Sequence, residues 1–315
     1  MNGARTPLLV AALGGNALLR RGETADAATQ RANARLAARA LAPLAAGRQL
    51  LVTHGNGPQV GLLALERECD AHAGHYPLDV LDAETEGMLG YLIQQELANH
   101  LPHERACVTL ITQIEVAADD SAFARPGKPI GAVYADDEAQ AIAAARGWQM
   151  LPDGQGWRRA VASPRPRSVV ELRVIAQLLA TDTVVICAGG GGVPVVRDAH
   201  GRLDGVEAVI DKDAASALLA RQLEASALLL LTDVDALYSD WASDRQRALR
   251  SIGSTELARQ VFAAGSMAPK VAAACEFVEA GDGVAAIGRL EDAEAILAGR
   301  AGTRIVAGRH PACWW

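Results

Sequence analysis

The sequence predicts an α/β protein whose mostly parallel sheet is covered by helices on both faces and carries one small protruding subdomain. Three observations carry that prediction. Half of the 315 residues are hydrophobic and only 4% are aromatic, so Ala, Leu and Val must fill the interior, as they do in parallel strands buried on both faces. Short apolar runs alternate with longer Ala/Leu-rich stretches of helical character along most of the chain. Between about residues 115 and 166 the rhythm breaks at Pro126, Gly127, Pro129, Gly131, Pro152, Gly154, Gly156, Pro164 and Pro166, which interrupt regular structure.

Taken in order, residues 8–13 are an apolar strand ending in Gly14-Gly15. A helix over 24–46 and a strand over 49–53 complete a βαβ unit. Helices follow over 60–73 and 83–101, then a strand over 106–112 whose pattern is too apolar for an exposed position. The interrupted stretch supplies the protruding segment. A helix over 169–180 leads to a strand over 183–188 that ends in glycines 189–192. Next come a hairpin with strands 193–196 and 206–210 turning at His200-Gly201, and a helix over 214–223. Strands over 228–231, 283–287 and 303–306, with helices over 255–264, 269–279 and 291–297, complete the pattern. Residues 309–315 hold no motif, although Trp314 and Trp315 are suited to packing against the body or a partner subunit.

The length allows one body with two lobes. A formal charge of −7 and a pI near 5.5 argue against general affinity for nucleic acid or an anionic membrane, both of which need a basic face. The five cysteines, Cys69, Cys107, Cys187, Cys275 and Cys313, form no CxxC pair, which gives no support to a zinc site or redox dithiol. A reducing, cytoplasmic setting is expected. Residues 1–7 lead into the first strand without a signal-like pattern, and no window reaches about 18 apolar residues.

Three strand ends carry glycine with small polar neighbours: Gly14, Gly15 and Asn16; Gly55, Asn56 and Gly57 after His54; and the run containing Gly190 and Gly191. Glycine there lets backbone amides approach a small anion, and the following helix adds its positive end. Neither GxxxxGK[ST] nor GxGxxG is present, so a P-loop and a dinucleotide fingerprint both lack support. Lysine is scarce, with only Lys128, Lys212 and Lys270 among 30 basic residues. Each lies in a glycine- or proline-marked loop or at a helix start, where a compact ammonium can follow a migrating phosphoryl group better than a wide guanidinium. Asp211 and Asp213 flank Lys212; Asp213 is read as the helix cap and Asp211 as organiser of the cations. His54 lacks a Ser or Cys nucleophile with a partner acid, and is read as structural or as a substrate donor rather than a base.

These residues resemble the carbamate kinases of the amino acid kinase superfamily. The resemblance runs through ALGGNAL at 12–18, THGNGPQVG at 53–61, PLD at 77–79, GMLGY at 87–91, TQ at 112–113, KPIG at 128–131 and GWRR at 156–159. It continues through GGGGVPV at 189–195, GVEAVIDKD at 205–213, LTDV at 231–234 and GSMAPK at 265–270, and spans roughly residues 8–306. It implies a three-layer sandwich, with residues 1–213 as the phosphoryl-acceptor half, including the protruding subdomain, and 214–315 as the nucleotide half. It further implies transfer between ATP and carbamate with Mg²⁺, a homodimer, and net ATP synthesis from carbamoyl phosphate in arginine or related nitrogen catabolism.

By the resemblance, Lys128, Asp211, Lys212 and Lys270 are catalytic. Gly14, Gly15, Asn16, Gly55, Asn56, Gly57, Gly190 and Gly191 bind substrate or phosphate. Thr232, Asp233, Val234, Tyr238, Gly265, Ser266, Met267 and Pro269, with Lys212 and Lys270, border the nucleotide, and no side chain is assigned as a metal ligand. Two segments depart from the family pattern, Ala83–Met88 reading AETEGM rather than AMSQGM, and 120–123 reading DSAF rather than DPAF. Two rival readings stand beside this one: another amino acid kinase with a larger acceptor, separable by an acceptor screen, and a non-catalytic nucleotide sensor, which would convert no ADP to ATP.

Overall fold

The computed structural model describes residues 6–20, 22–69, 76–154, 156–241, 243–262 and 267–315, without the side chains of residues 16 and 67–69. The fully buried strand Leu8–Leu13 lies at the centre, hydrogen-bonded in parallel to Gln49–His54 on one side and Ala227–Thr232 on the other. Around it the described residues form a ten-stranded sheet. Val184–Ile186 and then Cys107–Thr109 extend it in parallel beyond Gln49–His54. Beyond Ala227–Thr232 come Val284–Arg289, the antiparallel Thr303–Val306, and Arg247–Gly253.

Successive side chains of a strand point to opposite faces, and the central strand feeds two separate cores. Leu9, Ala11 and Leu13 pack with Ala34, Ala37, Ala38 and Leu41 of the helix Ala27–Leu41 and with Leu89, Ile93 and Leu97 of Leu78–Ala98. Val10 and Ala12 pack with Ile175 and Leu179 of Leu172–Ala180, Leu218 and Leu219 of Lys212–Gln222, and Ala274 and Val278 of Met267–Glu279. The result is a three-layer α/β sandwich. Helix Ala27–Leu41 shows the local logic: Asp26 accepts the Thr29 amide at 2.8 Å as a cap, the buried residues recur at i, i+3, i+4 and i+7, and Pro43 ends it in a 3₁₀ turn.

A second sheet orders Leu203–Gly205, Val193–Arg197, Gln113–Val116 and Pro166–Val169. A third, of Lys128–Tyr134, Gly156–Val161 and Gln149–Asp153, carries the helix Asp136–Arg146. It meets the body where Gly61 of helix Gly57–Cys69 touches Gly131; a Cβ on Gly61 would lie 1.9 Å from the Gly131 Cα. No helix of the described residues is long and apolar enough to cross a membrane.

Four details differ from the sequence reading. Of the helix expected over 255–264, the described residues form a single turn, Ser254–Leu257, because the chain then leaves the core and Val261 is 98% exposed, while residues 263–264 lie outside the described residues. The hairpin partner of Val193–Arg197 is Leu203–Gly205 rather than 206–210, whose Val209 amide instead donates to the Ala162 carbonyl at 3.0 Å. The strand over 106–112 keeps ladder pairing only at Cys107–Thr109, after which the chain crosses to the second sheet. Arg247–Gly253 was read as no element, yet it pairs with Thr303–Val306 and with Cys313–Trp314. Arg247 and Arg250 lie over the rings of Trp314 and Trp315 at 4.5 and 5.1 Å, and Trp315 Nε1 donates to the Gly302 carbonyl, so both terminal tryptophans pack on the body.

Candidate active site

The parallel register sets Leu13 level with both His54 and Leu231. The loops that leave these strands therefore emerge at one edge of the sheet, where ligands of open α/β sheets bind. Together with the starts of helices Gly57–Cys69, Lys212–Gln222 and Met267–Glu279 they enclose a cavity of about 500 Å³. Gly14, Gly15, Gly55, Asn56, Gly57 and Gly190 line it with Lys128, Asp211, Lys212, Asp213, Thr232, Asp233, Val234, Pro269 and Lys270.

The three lysines thus reach one space from three separate elements. Lys212 Nζ donates to Asp213 Oδ1 at 2.5 Å and Lys270 Nζ to Asp213 Oδ2 at 3.0 Å, with all three side chains nearly buried. Lys128 Nζ donates to Asp211 Oδ2 at 2.5 Å from the third sheet, and is partly exposed. The roles read for the two aspartates are exchanged. Asp211 takes the extended cap conformation, and its Oδ1 accepts the amides of Asp213 and Ala214 at 2.9 and 3.2 Å. Asp213, one step inside the helix, turns inward and becomes the organiser of the cation pair. Burial pushes the Asp213 carboxyl up, but the two ammonium groups and their hydrogen bonds outweigh it and hold it at about 2. Lys212 is lowered by the same burial, against which Asp213 works.

Of the other predicted residues, Gly191, Met267 and Tyr238 do not line this cavity. Gly191 is wedged against the Ile210 carbonyl, and the Tyr238 hydroxyl turns to the Asp235 carboxylate at 3.0 Å. Gly265, Ser266 and the Asn16 side chain lie outside the described residues. Sequence reasoning missed the support beneath the acceptor loops. Asn56 Nδ2 donates to Asp82 Oδ1 at 3.0 Å and to Thr85 Oγ1 at 2.8 Å, all buried. Glu86, one of the departures noted above, accepts the Gly189 amide at 2.8 Å and the Thr112 amide at 3.1 Å.

His54 is buried below the Gly189 turn and absent from the cavity lining. Its Nδ1 lies 3.3 Å from the Gly55 carbonyl, and burial, with the Lys212 charge, holds its pKa down at about 4. The folded ring is therefore neutral at pH 7. As pH falls below 6.5 the unfolded chain takes up a proton that the folded ring accepts only near 4. His54 thus contributes stability that is full above about 6.5 and lost as pH falls toward 4. Between pH 7 and 4.5 this loss should be about 2 kcal/mol. His54→Gln should flatten the fall of Tm over that interval; parallel curves for both proteins would assign the fall elsewhere.

Chemically, the site offers convergent ammonium groups and backbone amides at glycine turns and helix N-termini, and two of its carboxylates, Asp211 and Asp213, are engaged by the lysines. That inventory suits transfer of a phosphoryl group to an acceptor already anionic, where positioning and charge stabilisation suffice.

A sequence model of the amino acid kinase family matches residues 7–288. The chain is 50% identical over 308 residues to the carbamate kinase of Rhizobium meliloti, covering 97% of this chain and 95% of that one. It is 49% identical over 298 residues to the carbamate kinase of Haemophilus influenzae, covering 94% and 96%. Among solved structures, carbamate kinase from Giardia lamblia bound to AMP-PNP superposes with a TM-score of 0.87 at 39% identity, covering 96% of this chain and 99% of that one.

Proposed function

Because the chain belongs to the amino acid kinase family and to its carbamate kinases, we propose that its cavity transfers a phosphoryl group between ATP and carbamate through Lys212 and Lys270 locked on Asp213. That double ion pair, formed at the starts of two helices beside amide-lined loops, is the observation that carries the reading. Carbamate is an anion, so its oxygen attacks the γ-phosphorus without prior loss of a proton, and the reaction requires no general base. Lys212 and Lys270 neutralise charge on the transferring and leaving oxygens, and Lys128 adds a third cation from the protruding subdomain. Gly14, Gly15, Asn16, Gly55, Asn56, Gly57 and Gly190 serve the acceptor and the migrating phosphoryl group. Thr232, Asp233, Val234, Gly265, Ser266 and Pro269 border the nucleotide, which divides the chain into an acceptor half, 1–213, and a nucleotide half, 214–315.

Magnesium fits this site as a companion of the nucleotide. Among the described residues no group of three His, Cys, Asp or Glu could hold a metal, and Asp211 and Asp213 are engaged by lysines. Mg²⁺ keeps most of its waters and binds chiefly through substrate phosphates. Bound there, it supplies further charge neutralisation on the phosphate oxygens.

The test is ATP formation from ADP, Mg²⁺ and carbamoyl phosphate, read by luminescence. ATP should appear in step with carbamoyl phosphate consumed; none would remove the reading, and turnover with a larger acceptor instead would favour another amino acid kinase. Net ATP synthesis during arginine or related nitrogen breakdown, in the cytoplasm, completes the proposal. A strain lacking this chain that still gained ATP from arginine normally would oppose it.

A homodimer is supported by exposed Val80, Met88 and Tyr91 on helix Leu78–Ala98, with exposed Ile111 two residues beyond the three-residue edge strand Cys107–Thr109. Such an apolar margin beside an open sheet edge invites a second copy. Sedimentation as a monomer at micromolar concentration would exclude it.

A further inference from the structure

We propose that Glu86 is a positioning residue for the phosphoryl acceptor, gripping the glycine turn 189–192 so that the Gly190 amide is left to the ligand; this rests on the reaction assigned above.

Ala188 has a left-handed φ of 49°, strained for a residue with a Cβ and kept only where its surroundings over-determine it; Gly190, Gly191 and Gly192 follow at 71°, 110° and 85°, conformations open to glycine but entropically costly to fix. The amides of the turn are nearly all committed. Ala188 N donates to Thr112 Oγ1, Gly189 N to Glu86 Oε1, Gly191 N to the Ala188 carbonyl, Gly192 N to the Gly189 carbonyl and Val193 N to the Thr112 carbonyl. Among the described residues only the Gly190 amide in this run has no protein partner, and Gly190 is the member of the turn that lines the cavity. Glu86 holds both ends of the arrangement, one oxygen on Gly189 and the other on the amide of Thr112, which itself bonds the turn on either side.

The carboxyl group is an expensive way to fill space. Glu86 is wholly buried, it accepts the neutral amides of Gly189 and Thr112, and Asp82 lies buried one helical turn before it. Burial pushes Glu86 up to about 8 and Asp82 well above the carboxylate range. An apolar side chain would avoid that desolvation; what it could not supply is two acceptors for two amides. The same helical turn holds Asn56 through Asp82 and Thr85, and Asn56 in turn abuts Gly190, where an added Cβ would meet its amide at 2.2 Å. One turn of helix Leu78–Ala98 thus fixes both acceptor-side loops.

The experiment compares Glu86→Ala and Glu86→Gln with the unsubstituted chain, reading KM for carbamoyl phosphate, KM for ADP, and amide hydrogen exchange over residues 188–193. Glu86→Ala should raise KM for carbamoyl phosphate about tenfold, leave KM for ADP within about twofold, and speed exchange in the turn about tenfold, since about one hydrogen bond's worth of restraint is lost. Glu86→Gln should fall between, because its one carbonyl oxygen replaces one acceptor while its NH₂ opposes the second amide. Equal losses for both substrates, or unchanged exchange in the turn, would overturn the proposal. Should Glu86→Ala fail to fold, a Glu86→Gln variant with unaltered KM for carbamoyl phosphate would overturn it equally. An unsubstituted chain that made no ATP would sink the assigned reaction, while the exchange measurement would still decide whether Glu86 grips the turn.

Discussion

Asp213→Asn should lower kcat by about 10²-fold or more, a loss of the size seen when a preorganised electrostatic group is removed. Lys212→Ala and Lys270→Ala should each lose at least as much, and Asp211→Asn distinctly less. The reason is that both Asp213 oxygens are used, one per lysine, at 2.5 and 3.0 Å. An asparagine keeps one oxygen but presents an NH₂ to the other ammonium, and it removes the charge that offsets the desolvation of two neighbouring, nearly buried cations. Lys212 is already lowered by burial and by the Lys270 charge, so without the carboxylate it is the first to shed its proton. Asp211 restrains only the more exposed Lys128, and asparagine can still cap the helix. The measurement is kcat for ATP formation at saturating substrates, with thermal unfolding to confirm the fold. Full turnover by Asp213→Asn, or a larger loss in Asp211→Asn, would return the organising role to Asp211.

That exchange of roles marks where the sequence stops being legible. Glycine at the ends of apolar runs is visible in the string, and once the strands lie in parallel register the loops must meet at one edge; the lysines stand out by their rarity. The three-layer sandwich and the cavity follow from those features and from the resemblance. Which aspartate caps the helix does not, because it depends on one backbone conformation, the extended Asp211 (φ −69°, ψ 119°), and a shift of two residues turns the other carboxylate inward.

Asp82, Thr85 and Glu86 were passed over because polar residues in a helix usually face water. Their spacing held the signal: with Leu89 and Ile93 they fall at i, i+3, i+4, i+7 and i+11, the buried stripe itself. Arg247–Gly253 escaped because arginines flanked its apolar positions, and their cover, the ring faces of Trp314 and Trp315, lies more than sixty residues along the chain.

The placement of Lys128 depends on a contact that makes a second strong prediction. Gly61→Ala should lower kcat by about 10²-fold, the cost of misplacing a catalytic group by about 1 Å, while leaving ADP affinity nearly unchanged. The added Cβ would lie 1.9 Å from Cα and 2.2 Å from N of Gly131. Those are backbone atoms, so no side-chain rotation relieves the overlap; helix Gly57–Cys69 and strand Lys128–Tyr134 must separate. Gly131 cannot easily yield, since it already holds a φ of +76° and its carbonyl accepts Arg158 Nε at 2.8 Å. Lys128 is three residues away on that strand, and its reach to Asp211 moves with it.

Thr232, Asp233, Val234 and Pro269 sit on other elements and should hold ADP as before, so titration calorimetry separates a displaced cation from a collapsed fold. Overpacking itself should cost about 1–3 kcal/mol of stability. Gly87→Ala supplies the contrast: its Cβ meets nothing within 4 Å, and alanine in a helix should be neutral or stabilising by up to about 1 kcal/mol. Were Gly61→Ala to turn over at the full rate, the helix could not be what sets Lys128 over the migrating phosphoryl group.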